Sequence, residues 1–156
     1  MKKFTRFLLI ALIGSMIMIC TASAGIIEEK NGYVVRSGYD VEQTSADVIS
    51  MDMVTLSLYS ISEGDINYHS TSVSSGKTSI TYDVDWIDSD NDLGLRIVTP
   101  DGVSLGYYHD SVDGATDGRI YLQISSSGLS SGTWASRIKG FSVSGTDYYT
   151  IGVSVT

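Results

Sequence analysis

YDVDWIDSDNDLGLRIVTPDG, residues 82–102, holds two strand patterns, an acidic loop and a tight turn in one continuous stretch. Around its start, Ile80, Tyr82, Val84 and Trp86 share one parity, while Ser79, Thr81, Asp83 and Asp85 take the other. That period of two is the pattern of a half-buried antiparallel strand. Leu93, Leu95 and Ile97 then alternate with Gly94, Arg96 and Val98. Pro100-Asp101-Gly102 reads as a turn, because proline presets φ and glycine accepts positive φ. Val103, Leu105 and Tyr107 alternate on the return strand, so residues 93–108 are expected to form a hairpin.

The same period continues downstream. Ile120, Leu122 and Ile124 alternate with Tyr121 and Gln123; Trp134, Ser136 and Ile138 with Ala135, Arg137 and Lys139; Tyr149, Ile151, Val153 and Val155 with Tyr148, Thr150, Gly152 and Ser154. Polar loops at Asp110–Gly118 and Ser125–Gly132 separate these runs. Upstream, Ile26-Ile27 and Tyr33-Val34-Val35 are short β-like pieces around the turn signal Asn31-Gly32, and Ser50–Ile61 reads as a strand with Met51 and Met53 as core filler. About seven or eight short strands at turn-punctuated spacing predict an all-β chain, an antiparallel β-sandwich. Trp86 and Trp134 fall on apolar parities and are expected in its core.

The N-terminus reads as a targeting segment. Lys2, Lys3 and Arg6 precede an uncharged apolar run, Phe7–Ile19, and Ala22-Ser23-Ala24 is a small-x-small cleavage site. Residues 1–24 are thus expected to be a signal peptide, with a retained N-terminal anchor as the alternative. Cys20 follows Ile17-Met18-Ile19, without the small residues that a lipoprotein signal places before its cysteine. It is the one cysteine of the chain, so residues 25–156 carry no thiol or disulfide chemistry. They hold seven basic and eighteen acidic residues, a net charge of −11 against −8 for the whole chain. Such a surface argues against binding nucleic acid or anionic lipid through overall charge. The expected location is extracellular or in the cell envelope, with no membrane association after cleavage.

Several short motifs appear in order. Ser62-Glu63-Gly64-Asp65, Tyr68 and Val73-Ser74-Ser75-Gly76 come first; Trp86 and Asp90-Asn91-Asp92-Leu93-Gly94-Leu95 follow; then Thr99-Pro100-Asp101-Gly102, Ser131-Gly132-Thr133-Trp134 and the closing Tyr148–Val155. Residues 62–156 in this order resemble the bacterial and archaeal pre-peptidase C-terminal (PPC) domain, and more loosely the P-domains that follow subtilisin-like proteases. The resemblance implies a jelly-roll-like sandwich that accompanies a secreted hydrolase and is not itself catalytic; some collagenase relatives bind calcium and matrix polymers. This chain departs from the pattern in carrying no peptidase domain, and residues 25–61 form an N-terminal extension of one or two strands without a counterpart.

The candidate chemistry is acidic. Asp88, Asp90 and Asp92 alternate in one loop, and Asp110, Asp113 and Asp117 lie in another. Carboxylates at alternate positions suit Ca²⁺, which takes six to eight oxygens. An EF-hand is excluded, since Leu93 stands where its glycine belongs and Thr99 where its bidentate Glu belongs. The alternative is that these carboxylates cap backbone N–H groups of their own turns. His69 and His109 are the only histidines, and neither a G-x-S-x-G elbow nor an H-E-x-x-H helix occurs. In Tyr107-Tyr108 and Tyr148-Tyr149 one ring of each pair must face outward, where tyrosine can stack on a sugar ring or a protein partner.

Three functions follow as expectations. The first is a secreted, non-catalytic binding or adhesion module, its ligand a glycan, matrix polymer or envelope protein, with calcium as the candidate stabiliser. The second is a structural subunit of an extracellular layer or fibre, assembled by strand pairing through residues 25–61. The third is an accessory protein acting with a separate secreted hydrolase.

Overall fold

The computed structural model describes residues 25–38 and 57–156. Residues 1–24, where a signal peptide is expected, and Met51 and Met53 lie outside these residues. The described chain is all-β, with ten strands in two antiparallel sheets. In chain order these are β1 (Ile26–Lys30), β2 (Tyr33–Ser37), β3 (Tyr59–Ser62), β4 (Ile66–Val73), β5 (Ser79–Trp86), β6 (Asp92–Val98), β7 (Ser104–His109), β8 (Arg119–Ser125), β9 (Gly132–Ser142) and β10 (Thr146–Val155). One sheet runs β1-β2-β8-β5-β10-β3 and the other β4-β9-β6-β7. Ten strands exceed the expected seven or eight, and the β-like pieces at Ile26-Ile27 and Tyr33-Val34-Val35 form β1 and β2. The hairpin β1–β2 turns through Asn31 (φ 51°) and Gly32 (φ 84°), two left-handed residues that suit a two-residue hairpin loop. β2 pairs with β8, and β3 pairs with the start of β10. Among the described residues, no helix is long and apolar enough to cross a membrane.

The core follows the parity of the opening stretch. Ile80, Tyr82, Val84 and Trp86 are buried from one sheet, and Leu93, Leu95, Ile97, Trp134 and Ile138 from the other. Tyr33 packs edge-on against Trp134 at 5.5 Å between ring centroids, which seals the N-terminal hairpin onto this core. The Pro100-Asp101-Gly102 turn closes as expected. Gly102 (φ 85°) donates its N–H to the Thr99 carbonyl at 3.0 Å, and the Thr99 hydroxyl accepts from the Val103 N–H at 3.0 Å.

The return strand departs from simple alternation. Leu95 pairs with Tyr108 but Ile97 pairs with Leu105, so Gly106 and Tyr107 together face Arg96. This is a β-bulge, with Gly106 at φ 82°. The extra residue reverses the parity behind Leu105. Tyr108, not Tyr107, points into the core, and Tyr107 turns outward.

Candidate functional site

The outer face of the four-stranded sheet gathers side chains that are distant in sequence. Pairing aligns Tyr68 of β4 with Arg137 of β9, and Arg137 with Arg96 of β6. The bulge on β7 sets Tyr107 beside Arg96. One rung across the whole sheet therefore reads aromatic, cation, cation, aromatic. The Arg137 guanidinium lies over the Tyr68 ring at 5.3 Å, and that of Arg96 over the Tyr107 ring at 5.7 Å. In the neighbouring rung Lys139 faces Gly94, which in turn faces His109. Phe141 covers Gly94, where any Cβ would meet its ring at 2.5 Å, and Lys139 Nζ sits 4.5 Å from the Phe141 centroid. Tyr107 packs edge-on to Phe141 at 5.2 Å, and His109 lies tilted against it at 4.6 Å.

Electrostatically this face is the reverse of the chain. Of the residues on the outward parity of its strands only Asp92 is acidic, and it is held by His109 Nδ1 at 3.0 Å. Arg96, Arg137 and Lys139 have no carboxylate partner among the described residues. Arg96 donates Nε to Ser104 Oγ at 2.8 Å, while Arg137 Nε is buried without a hydrogen bond. Lys30, at the end of β1, reaches over the rim to the Ser104 carbonyl at 2.7 Å. Like charges directly opposite on a sheet are destabilising. The two guanidiniums relieve this by splaying onto rings on the flanking strands.

The acidic loops serve the backbone. Asp88 Oδ1 accepts the Asp90 N–H at 3.1 Å. Asp110 is buried, and its two oxygens accept the N–H groups of Asp117, Gly118 and Arg119 at 3.2–3.3 Å. Asp90, Asp92 and Asp110 line one cleft of about 350 Å³, to which Asp88 and Asp117 do not contribute. The side chain of Asp113 lies outside the described residues. Among those described, no group of three or more His, Cys, Asp or Glu side chains is placed to hold a metal ion. The organiser of the loop is a residue that charge patterning passed over. Asn91 is buried; its Nδ2 donates to Asp147 Oδ2 at 2.8 Å, its Oδ1 accepts the Ser144 N–H at 2.9 Å, and its carbonyl accepts from Trp86 Nε1 at 3.2 Å.

The tyrosine pairs divide. Tyr108 and Tyr149 are buried, so neither is a surface ligand residue, a correction to the expectation for those two. Tyr108 donates to Glu28, and burial together with that bond raises its pKa. Tyr148 is exposed, but on the other sheet, beside Ile87. Only Tyr107 belongs to the row described above. Tyr149 shares a 2.8 Å hydrogen bond with His69 Nε2 and stacks on Tyr59. Burial pushes the Tyr149 phenol up to about 12 and lowers the His69 pKa.

Arg96, Arg137, Lys139, Tyr68 and Phe141 escaped the sequence reading because each, alone, is an ordinary outward residue of a strand. The available signal was cations on outward parities beside aromatics in a chain this acidic; their alignment depends on the order β4-β9-β6-β7. No family model matches this chain, and no curated protein matches it.

Proposed function

We propose that the chain is an exported, non-catalytic β-sandwich binding module that engages its partner through the outer face of the four-stranded sheet. The carrying observation is the Tyr68–Arg137–Arg96–Tyr107 rung: two opposed cations without carboxylate partners among the described residues, each stacked on a ring. Folding does not require such a row, since it brings like charges together. Recognition does, because aromatic rings and arginine are the side chains that dominate binding energy at interfaces. The targeting pattern of residues 1–24 supports export, and the resemblance to the pre-peptidase C-terminal domain supports an accessory, non-catalytic role. Both histidines are already engaged, His69 with Tyr149 and His109 with Asp92. In this reading calcium, where it binds, ties the Asp90–Asp92 loop to the Asp110 turn.

The test is sedimentation of the purified protein with insoluble envelope and matrix material. Arg137→Gln and Tyr68→Ala are each expected to weaken retention about tenfold, the cost of one binding hot spot. Tyr148→Ala, on the opposite sheet, is expected to leave it unchanged. Equal retention of all four proteins would remove the face from the proposal.

One observation favours the second reading, assembly by strand pairing. Among the described residues β4 pairs with β9 alone, and its sequence INYHSTSV carries no charge and no proline. An edge strand without such protection is a template for another strand.

A further inference from the structure

We propose that the rung Tyr68–Arg137–Arg96–Tyr107, with Lys139 and Phe141, is a subsite for an acidic polysaccharide, a linear glycan whose sugar rings carry carboxylates. The inference rests on the reading of this face as the binding surface and names the chemistry that it takes. Charge selects the ligand first. Residues 25–156 carry seven cations against eighteen carboxylates, yet Arg96, Arg137 and Lys139 stand on this one face and Lys30 at its rim. A polyanion is repelled elsewhere and admitted here.

The donors are also of the required kind. A guanidinium is a planar fork that matches a carboxylate with two parallel hydrogen bonds. Arg96 spends Nε on Ser104, and its terminal nitrogens have no partner among the described residues. Arg137 is held by the Tyr68 ring, and its Nε makes no hydrogen bond among the described residues. Both forks are positioned by stacking and retain donors for a ligand. The rings supply the other half of the recognition. Tyr68 is 66 % exposed at the sheet edge, and an aromatic ring offers an apolar face to the C–H face of a sugar while its hydroxyl stays wet. The rung crosses three strand spacings, about 14 Å, which suits an extended oligomer lying across the strands and not a single small anion.

Two other anionic partners fit less well. Affinity for a nucleic acid scales with the number of phosphates neutralised, and three or four cations on a chain of net charge −11 neutralise few. A second copy would have to present carboxylates, and on the outer face of the six-stranded sheet Asp83 is already held by Arg119 through bonds of 2.7 and 2.8 Å, which leaves Asp85 as the one exposed carboxylate of β5.

The experiment is titration of the full protein with oligogalacturonate, neutral dextran oligomers and duplex DNA, at low and at high salt. Oligogalacturonate is expected to bind at low salt and to weaken as salt is raised. Arg96→Gln and Arg137→Gln are each expected to weaken it about tenfold and Tyr68→Ala by a similar factor. Arg137→Lys keeps the charge, loses the fork, and is expected to fall between. Thermal unfolding of each variant checks that it is folded, and the pair Arg96→Gln and Arg137→Gln gives two independent probes of one rung. Absence of oligogalacturonate binding, equal binding of dextran, tighter binding of DNA, or indifference to both arginine substitutions would each overturn the proposal. Arginine-dependent self-association without glycan binding would also overturn it, and would assign the face to a second copy. If envelope material is still retained through Arg137 and Tyr68 while oligogalacturonate is not bound, the glycan class falls and the binding face stands.

Discussion

Tyr82 lies at the centre of β5, fully buried, and its hydroxyl has no hydrogen-bond partner among the described residues. Burial pushes its pKa upward, since a phenolate there would lose its hydration. A buried hydroxyl without a partner costs about 1–3 kcal/mol, so Tyr82→Phe is expected to stabilise the fold by about 1 kcal/mol. A higher urea midpoint at unchanged slope would show it. His69 gives a pH signature. Its pKa lies below the ordinary 6.5 because burial disfavours the charged ring, so the unfolded chain takes up the proton more readily than the folded one. Stability contributed here is complete above pH 6.5 and is lost as the pH falls through that value towards the folded pKa. Urea midpoints measured on either side of pH 6.5 should show this decline in the native protein, and His69→Gln should flatten it.

The edges of the two sheets differ in how they are protected. β1 carries Glu28, Glu29 and Lys30 and a register shift; β3 has four residues; β7 is bulged at Gly106. Charge, shortness and bulges are the ordinary devices that discourage a further strand. β4, eight residues long and uncharged, has none of them. If strand pairing builds an assembly, Ser70→Lys, which places a charge at an exposed position of that edge, should abolish high-molecular-weight species in size-exclusion chromatography and electron microscopy. A chain that elutes as a monomer before the substitution would remove the assembly reading. The bulge on β7 has a consequence for binding as well. It is the extra residue, Tyr107, that faces Arg96 and completes the rung, so a ladder without the bulge would bury that ring and expose Tyr108.

At the scale of the whole molecule, charge is the dominant unbalanced term. A net charge of −11 over residues 25–156 makes the folded state repel itself, and salt screens this over a Debye length of about 10 Å at 0.1 M. Sodium chloride is therefore expected to raise the thermal midpoint. Calcium at equal ionic strength provides the comparison that isolates a site: a midpoint above that in sodium assigns an ion to the cleft of Asp90, Asp92 and Asp110, because a ligand of the folded state alone raises stability. Equal midpoints leave Asp110 to the backbone N–H groups and Asp92 to His109.

By itself the sequence determined the class of fold, most strand positions and the larger part of the core. Period-two alternation is local, and which face of a strand is buried needs no knowledge of its neighbours, so Ile80 to Trp86, Leu93 to Ile97 and Trp134 to Ile138 were legible as they stand. The Pro100-Asp101-Gly102 turn was equally local. The remaining features depend on partners remote in sequence and were set when the strands assembled. The parity of Tyr107 and Tyr108 was set by a bulge that exists only in the pairing of β7 with β6. The role of Asn91 was set by Asp147 and Ser144 across the sandwich. The row of Tyr68, Arg137, Arg96 and Tyr107 was set by the order β4-β9-β6-β7, in which two of the three pairings join strands far apart along the chain. Cross-strand chemistry depends on register and strand order, and neither is written in the alternation of a single strand.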